Sequence, residues 1–272
     1  MAYKKDALQI PLELEAFRKD IEKTVQPFIK INLKKAKTTL HQSKFAGNPY
    51  LPQTMEHPLS KDGKPMKLLA QLNFSEIPRL EPFPTEGILQ FFIGAEDDVM
   101  GIDFDDMTNQ SNFKIVFHSH VIEDESRLVT DFSYMDNLNT EYFPIEHEVA
   151  LSFEESSEPV SSNDFRLDEL LGDVDLNDEV YKGDELIELW EVYSEAFLGE
   201  GHKIGGYPFF TQSDPREWEE KYMKHEVLLL QIDTDDKEGI MWGDCGIANF
   251  FITKEDLQKR NFTKVIYNWD CH

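Results

Sequence analysis

The spacing of apolar residues predicts a helix near the start of the chain, followed by a strand. Apolar residues recur every three to four positions from Leu14 to Val25, which indicates one amphipathic helix over residues 11–26. Pro27 is expected to end that helix, because proline has no backbone N–H to donate. Residues 29–34 then alternate between apolar and polar, the pattern of a half-buried strand.

The same criteria place further strands and three more helices along the chain. A helix is predicted to begin at Asp184 and end at Gly199, and short helices are predicted after the capping residues Asp214 and Thr253. The predicted strands cover residues 67–74, 87–93, 113–119, 148–153, 227–233, 239–242, 247–252 and 264–269.

Two parts of the chain are similar in sequence. The segment SKFAGNPYLPQ (43–53) aligns without a gap with HKIGGYPFFTQ (202–212), and the two share lysine, glycine, proline and glutamine. Downstream, LLAQL (68–72) matches LLLQI (228–232), and GILQFFI (87–93) matches GIANFFI (246–252). This correspondence predicts a tandem duplication of a β-rich motif.

The predicted fold is strand-rich α+β, with both copies contributing to a pseudo-symmetric sheet structure that carries peripheral helices. We expect a single compact domain over residues 1–272. Within it we assign an N-terminal helix to 1–28, the first copy to 29–153, an acidic helical insertion to 154–200 and the second copy to 201–272.

The net charge of the chain limits the classes of partner that it is expected to bind. The formal net charge is −26, yet the first 44 residues hold 10 Lys/Arg and 5 Asp/Glu, so the remainder carries −31. Such a surface repels nucleic-acid phosphates and anionic membranes, so we expect neither as a partner. No apolar run has the form of a signal peptide or the length of a membrane span, which predicts a cytoplasmic protein. Two cysteines are too few for a disulfide framework or a zinc site, and no cofactor is predicted.

Residues kept in both copies are expected to serve the fold. The shared glycine and proline positions set the backbone, and they lack the spacing of a phosphate-binding loop. Gln71 and Gln231 lie inside apolar strands and must find hydrogen-bond partners. We expect them, together with Gln53 and Gln212, to tie loop backbone to the sheet, although a paired site remains an alternative.

Polar residues at the edges of the second copy are the candidates for a site. A ligand-binding site is predicted from His202, Gln212, Asp214, Arg216 and Asp244. Two sharper alternatives are attack by Cys245 with His202 as its base, and a cation site of His202, Asp214 and Asp244. The structural alternatives are a helix cap for Asp214, a turn residue for Asp244 and a small buried thiol for Cys245. His118 and His120 are expected on one face of a strand, which is a weak metal signal.

Seven blocks in order resemble the bacterial YwqG-like family of unknown function, over nearly the whole chain. These are SKFAGNPYLP, KLLAQLNF, GILQFFI, GHKIGGYPFFTQSDPR, LLLQIDTDD, IMWGDCGIANFFI and YNWDC. The resemblance implies a cytoplasmic bacterial protein of strand-rich α+β fold with two tandem similar motifs. It implies no catalytic residue, because the family has no established activity.

Three functions remain open at this point. The leading hypothesis is a non-catalytic acidic protein that binds a basic protein partner, as an immunity or inhibitor protein would. The second is a small-molecule or cation-binding protein, catalytic or not, with its site near the second copy. The third is an acidic surface that serves solubility alone. No catalytic signature is recognisable, and neither a monomer nor a homodimer is favoured.

Overall fold

A ten-stranded antiparallel sheet, curled until it is nearly closed, organises the chain in the computed structural model, which describes residues 8–272. About 29% of the residues are in strands and 15% in helices, so the prediction of a strand-rich α+β fold is confirmed. Within residues 8–272, no helix is both long and apolar enough to cross a bilayer. The first seven residues of the predicted N-terminal segment lie outside the described residues.

The strands have the following bounds: β1 (Gln26–Lys35), β2 (Lys44–Phe45), β3 (Lys67–Asn73), β4 (Ile88–Ile93), β5 (Phe113–His118), β6 (Val149–Glu158), β7 (Glu179–Lys182), β8 (Glu185–Glu188), β9 (Lys203–Gly205), β10 (Val227–Asp233), β11 (Ile247–Ile252) and β12 (Ile266–Asp270). Their order in the large sheet is β12-β11-β10-β9-β1-β6-β2-β3-β4-β5, and β7 pairs with β8 in a separate hairpin. The α-helices are α1 (Arg18–Lys23), α2 (Leu167–Leu171), α3 (Leu189–Ala196) and α4 (Lys254–Lys259), and 3₁₀ turns cover Leu12–Phe17, Phe74–Glu76, Glu125–Arg127 and Ser133–Met135.

The centre of the sheet is the long antiparallel pair of β1 and β6, which runs from Gln26 opposite Glu158 to Lys35 opposite Val149. Four shorter strands follow on each side, β2 to β5 beyond β6 and β9 to β12 beyond β1. Residues 154–158, which the sequence assigns to the acidic insertion, therefore belong to a central strand.

The main core lies inside the curl of the sheet, where the two groups of strands face each other. The rings of Phe91 and Phe250 are 4.8 Å apart between centroids, and those of Phe113 and Tyr267 are 5.3 Å apart. Successive side chains of a strand point to opposite faces, and in β1 the apolar alternation places Ile29 and Ile31 in the core, whereas β4 and β11 are buried on both faces. A second core joins the N-terminal helical segment to α2 and α3.

The two groups of strands have matching internal contacts. Each has a β-bulge at the same place, between Leu68 and Ala70 in one group and between Leu228 and Leu230 in the other. The two repeated glutamines also bond in the same way. Gln71 accepts from Tyr50 N–H and donates to the carbonyls of Leu40 and Gln42, while Gln231 accepts from Phe209 N–H and donates to the carbonyls of Gly199 and Gly201. The expectation that these amides tie loop backbone to the sheet is confirmed.

Two predicted helices differ in the structure. The N-terminal helix, predicted over residues 11–26, is a 3₁₀ turn that leads into the short helix α1, with Leu14 and Ile21 as its buried residues. The helix predicted from Asp184 begins only at Leu189. The residues before it belong to the β7–β8 hairpin, where strand pairing satisfies their backbone N–H and C=O groups instead.

Two short elements within residues 201–272 are also corrected. Residues after Asp214 form turns rather than a helix, although the Asp214 carboxylate does accept from the Arg216 N–H as a cap would. Residues 239–242 are not a strand, because Ile240 makes only isolated bridges. Gly239 and Gly243 adopt positive φ angles of 71° and 55°, which bend the chain on both sides of that bridge.

Candidate ligand-binding cleft

Asp214 and Arg216 lie together in a buried ion pair. The Arg216 Nη2 atom is 2.6 Å from Asp214 Oδ2 and 3.3 Å from Asp164 Oδ2. Burial raises the pKa of Asp164, but its hydrogen bonds to Arg166 and the charges of Arg216 and Arg166 outweigh that effect and hold the pKa below its usual value. The Arg216 guanidinium also lies 4.0 Å from the centroid of the Phe251 ring. This pair is therefore satisfied internally.

His202 belongs to a different part of the interior. Its Nδ1 atom accepts a hydrogen bond from the backbone N–H of Asp233 at 3.0 Å, and its ring lies 5.7 Å from that of Phe45. Burial lowers its pKa to about 4, although Asp235 at 3.9 Å opposes the shift. His202 is therefore neutral at neutral pH.

Gln212 and Asp244 both contact the C-terminal residues. The Gln212 side chain donates to the carbonyl of Cys271, and the Asp244 carbonyl accepts from the N–H of His272. Within residues 8–272, no hydrogen bond or ion pair links His202, the Asp214–Arg216 pair and Asp244, and no three metal-ligating side chains are grouped. The structure thus distributes the five predicted residues over three places. Cys245 is exposed.

An open cleft of about 520 Å³ lies instead on the outer face of β4 and β5. Its floor consists of outward side chains of the two strands, and residues 51–61 line its wall. Phe92 pairs with Lys114 and Gln90 pairs with Val116 across the strands, so these side chains are direct neighbours. The residues that line the cleft include Leu51, His57, Gln90, Phe92, Lys114, Val116 and His118.

A chain of buried amides fixes the protonated nitrogen of His118. The side-chain oxygen of Gln71 accepts from the Tyr50 N–H. The same oxygen also accepts from the side-chain amide N–H of Gln90. Gln90 therefore presents its own oxygen to His118 Nε2 at 2.8 Å, and that nitrogen must carry the proton. Burial lowers the pKa of His118 to about 4, so the ring is neutral and Nδ1 is a bare acceptor. No described residue donates to Nδ1.

His57 is a fixed part of the wall. Its Nε2 donates to the Met66 carbonyl at 2.7 Å, and its Nδ1 accepts from the Tyr134 hydroxyl at 2.9 Å. The ring meets Phe92 edge to face, with centroids 5.7 Å apart. Burial lowers its pKa, so His57 is neutral as well. Both of its nitrogens are used by the protein, which leaves its ring as an apolar surface for the cleft.

The charged side chains of the cleft are Lys61, Lys114 and Glu56. Neither lysine has a carboxylate within ion-pair distance among residues 8–272. The apolar side chain of Val116 separates Lys114 from His118, since the three lie on the same face of β5. The cleft therefore combines two lysines and one glutamate with an apolar floor and a neutral acceptor.

On the other half of the sheet, side chains occupy the position that corresponds to the cleft. Phe92 and Phe251 occupy equivalent positions in the two similar blocks, and His57 and Arg216 both stand four residues after the shared glutamine. Arg216 lies over Phe251, and Phe210 packs against the same ring at 6.0 Å. Comparing unmatched polar residues does not reveal this contrast, because His57 and Arg216 are both polar.

The sequence HSH at 118–120 was the other available signal, but β5 ends at His118, so His120 lies outside the strand and the two imidazoles do not share a strand face. His118 is buried at the cleft, whereas His120 is exposed and its Nδ1 contacts the Ser119 hydroxyl. The two imidazoles do not form a metal-ligating group with a third His, Cys, Asp or Glu side chain in the described chain.

The fold and the cleft define a strand-rich α+β protein with an open cleft of ligand size on one half of its sheet. Residues 43–271 match the family model of a domain of unknown function, DUF1963, and the chain belongs to that family. No curated protein matches the chain.

Proposed function

We propose that this protein binds a small molecule in the cleft between β4, β5 and residues 51–61. The observation that carries the proposal is the bare Nδ1 acceptor of His118, held in one tautomer by Gln90 and Gln71 at one end of an apolar floor. A preorganised polar group in an otherwise apolar cleft is the usual form of a ligand site.

The floor of the cleft sets the chemistry of the ligand. Lys114 and His118 are four residues apart on one strand face, a separation of about 13 Å at the usual rise per residue. A fitting ligand has an anionic group for Lys114 or Lys61, an apolar body over Val116 and Phe92, and a hydrogen-bond donor for His118. The pKa of about 4 favours binding over proton transfer, because the imidazole does not exchange a proton near neutral pH.

Thermal unfolding with a matched pair of probes tests this function. Hydroxyphenylbutyrate carries the required anion, ring and hydroxyl, and its amide lacks only the charge. We expect the acid to raise the Tm of the wild type more than the amide does. Lys61→Ala/Lys114→Ala should remove that difference, and Val116→Trp, which fills the cleft, should abolish both effects. Lys224→Ala, an exposed lysine on another loop, is the control. Stabilisation that persists in Val116→Trp contradicts the proposal.

We also propose that the acidic body engages a basic protein partner, as an immunity or inhibitor protein would. The charge of −31 outside the first 44 residues supports this second function. Pull-down of partners from lysate at low and high salt is the first test, because electrostatic association weakens as salt screens it. Recovery that does not change with salt argues against it.

We further propose the finer description of the chain. The matched bulges and glutamine hydrogen bonds support a tandem duplication, with the copies at 29–153 and 201–272 inside a single domain. The seven sequence blocks support membership of the YwqG-like group and a bacterial, cytoplasmic protein. The ligand site, originally expected near His202, is proposed on the first copy instead.

A further inference from the structure

The β7–β8 hairpin stands outside the main sheet and has one covered and one open face. Directly opposed residues of an antiparallel pair point to the same side, so Val180 with Ile187 forms one face and Tyr181 with Leu186 forms the other. Val180 and Ile187 pack against the second core. Tyr181 and Leu186 are 71% and 48% exposed. The hairpin thus presents an aromatic and an aliphatic side chain together to solvent.

Two glutamates lie beside this apolar pair. Glu179 is directly opposite Glu188, and alternation along the strands puts both on the face of Tyr181 and Leu186. Directly opposed like charges destabilise a strand pair. The stability of the hairpin therefore does not explain this arrangement.

The surrounding chain strengthens the negative field. Residues 168–200 contain 12 Asp/Glu and a single basic residue, Lys182. The ammonium of Lys182 is already paired with Glu195 at 2.6 Å. Trp190, which follows the hairpin at the start of α3, is 39% exposed. Exposed aromatic side chains on an acidic segment resemble the composition of an interface core and its charged rim.

We propose that the open face of the hairpin, defined by Glu179, Tyr181, Leu186 and Glu188, is the docking surface for a lysine- or arginine-rich segment of a protein partner that also carries apolar side chains. The inference rests on the proposed engagement of a basic partner and names its surface. A cationic head binds between Glu179 and Glu188, while its aliphatic stem and a neighbouring apolar residue cover Tyr181 and Leu186. Charge complementarity selects this occupant over an acidic or neutral one.

The test measures binding of two fluorescent peptides to the full chain. One alternates lysine with leucine, and the other alternates lysine with serine, so the two carry equal charge. We expect the lysine–leucine peptide to bind at least about tenfold more tightly, and Tyr181→Ser/Leu186→Ser to remove that preference while leaving the Tm nearly unchanged. Trp218→Ser is the matched control, because Trp218 is 70% exposed and flanked by Glu217 and Glu219.

A second variant separates a binding role from a structural one. Glu179→Gln/Glu188→Gln removes the like-charge pair, so we expect a hairpin that is at least as stable and a peptide affinity that falls about tenfold. Unchanged affinity in both double variants overturns the surface but leaves the basic-partner function standing. Equal binding of the two peptides by the wild type overturns the apolar part of the surface. Failure of the wild type to bind either peptide overturns both the surface and the function.

Discussion

The guanidinium of Arg216 lies 4.0 Å from the ring centroid of Phe251. On the other half of the sheet the equivalent phenylalanine, Phe92, is met by the neutral ring of His57. An arginine needs buried carboxylates, and Asp214 and Asp164 supply them and close the space over the strand. A histidine satisfied by one carbonyl and one hydroxyl needs no such partners, so the space beside it stays open.

We expect Arg216→Met to destabilise the protein by about 3–5 kcal/mol, because it leaves the carboxylates of Asp214 and Asp164 buried without a cation. Urea unfolding followed by circular dichroism measures the change. Arg79→Ala is the control, since Arg79 and Glu81 form an exposed ion pair whose loss should change stability by less than about 1 kcal/mol. Equal effects of the two substitutions would show that the buried network is not required.

Gln71→Leu and Gln231→Leu are expected to destabilise the protein by similar amounts. Each substitution leaves a buried N–H and two carbonyls without their side-chain partner, at about 1–3 kcal/mol for a buried unsatisfied group. Gln71→Leu also removes one acceptor of the Gln90 amide, which keeps the Tyr50 carbonyl. Gln53→Ala, whose amide is exposed, should change stability by less than about 1 kcal/mol. The measurement is the free energy of unfolding in urea. A large loss for only one of the buried glutamines would argue against equivalent roles in the two halves.

Sequence patterns predicted the strands of the two similar blocks well. The strand predicted at 247–252 coincides with β11 (Ile247–Ile252), and that at 67–74 is one residue longer than β3 (Lys67–Asn73). β11 is wholly buried, and β3 is buried except at its polar end residues Lys67 and Asn73, so burial and the residues at the strand ends agree.

Local sequence patterns could not predict the β7–β8 hairpin or the ion network around Arg216. Leu186, Leu189 and Tyr193 fit a helical spacing, and only the pairing of Tyr181 with Leu186 reassigns the first of them to a strand. Arg216 follows Asp214 closely in the chain, and Asp214 aligns with the apolar Met55, which suggested chemistry. Its second partner, Asp164, is 52 positions away in the chain, and such a contact leaves no trace in spacing.

The free energy of unfolding should decrease as the pH is lowered between the unfolded and folded pKa values of His118. Burial lowers its pKa from 6.5 to about 4, so between these values the unfolded chain binds a proton that the folded chain does not. The free energy of unfolding therefore decreases from about pH 6.5 to about pH 4, by up to about 3 kcal/mol for this group.

His118→Gln removes this titration and keeps a donor for the Gln90 oxygen, so urea unfolding across that range should show a shallower pH dependence. His202, with a pKa also near 4, still contributes to the slope. His120→Gln, an exposed neighbour, is the control. A slope that His118→Gln does not change would contradict the burial of a neutral imidazole.

The two equivalent buried lysines, Lys203 and Lys44, should respond differently to substitution. The Lys203 ammonium binds both oxygens of Glu158 at 2.8 Å, whereas the Lys44 ammonium donates to two backbone carbonyls and lies 3.9 Å from Glu148. Lys203→Met therefore leaves a poorly hydrated carboxylate, and we expect a loss of about 3–5 kcal/mol. Lys44→Met leaves carbonyl oxygens without a donor, with a smaller loss of about 1–3 kcal/mol.

The double variant Lys203→Met/Glu158→Gln distinguishes a stranded charge from lost packing. It removes the carboxylate charge while keeping an amide oxygen that can accept from the Tyr207 N–H, so it should recover part of the stability lost in Lys203→Met. Urea unfolding of the single and double variants gives the difference. If the double variant is less stable than Lys203→Met alone, the cost arises from packing of the lysine stem, and the ion pair is not what holds β9 to the end of β6.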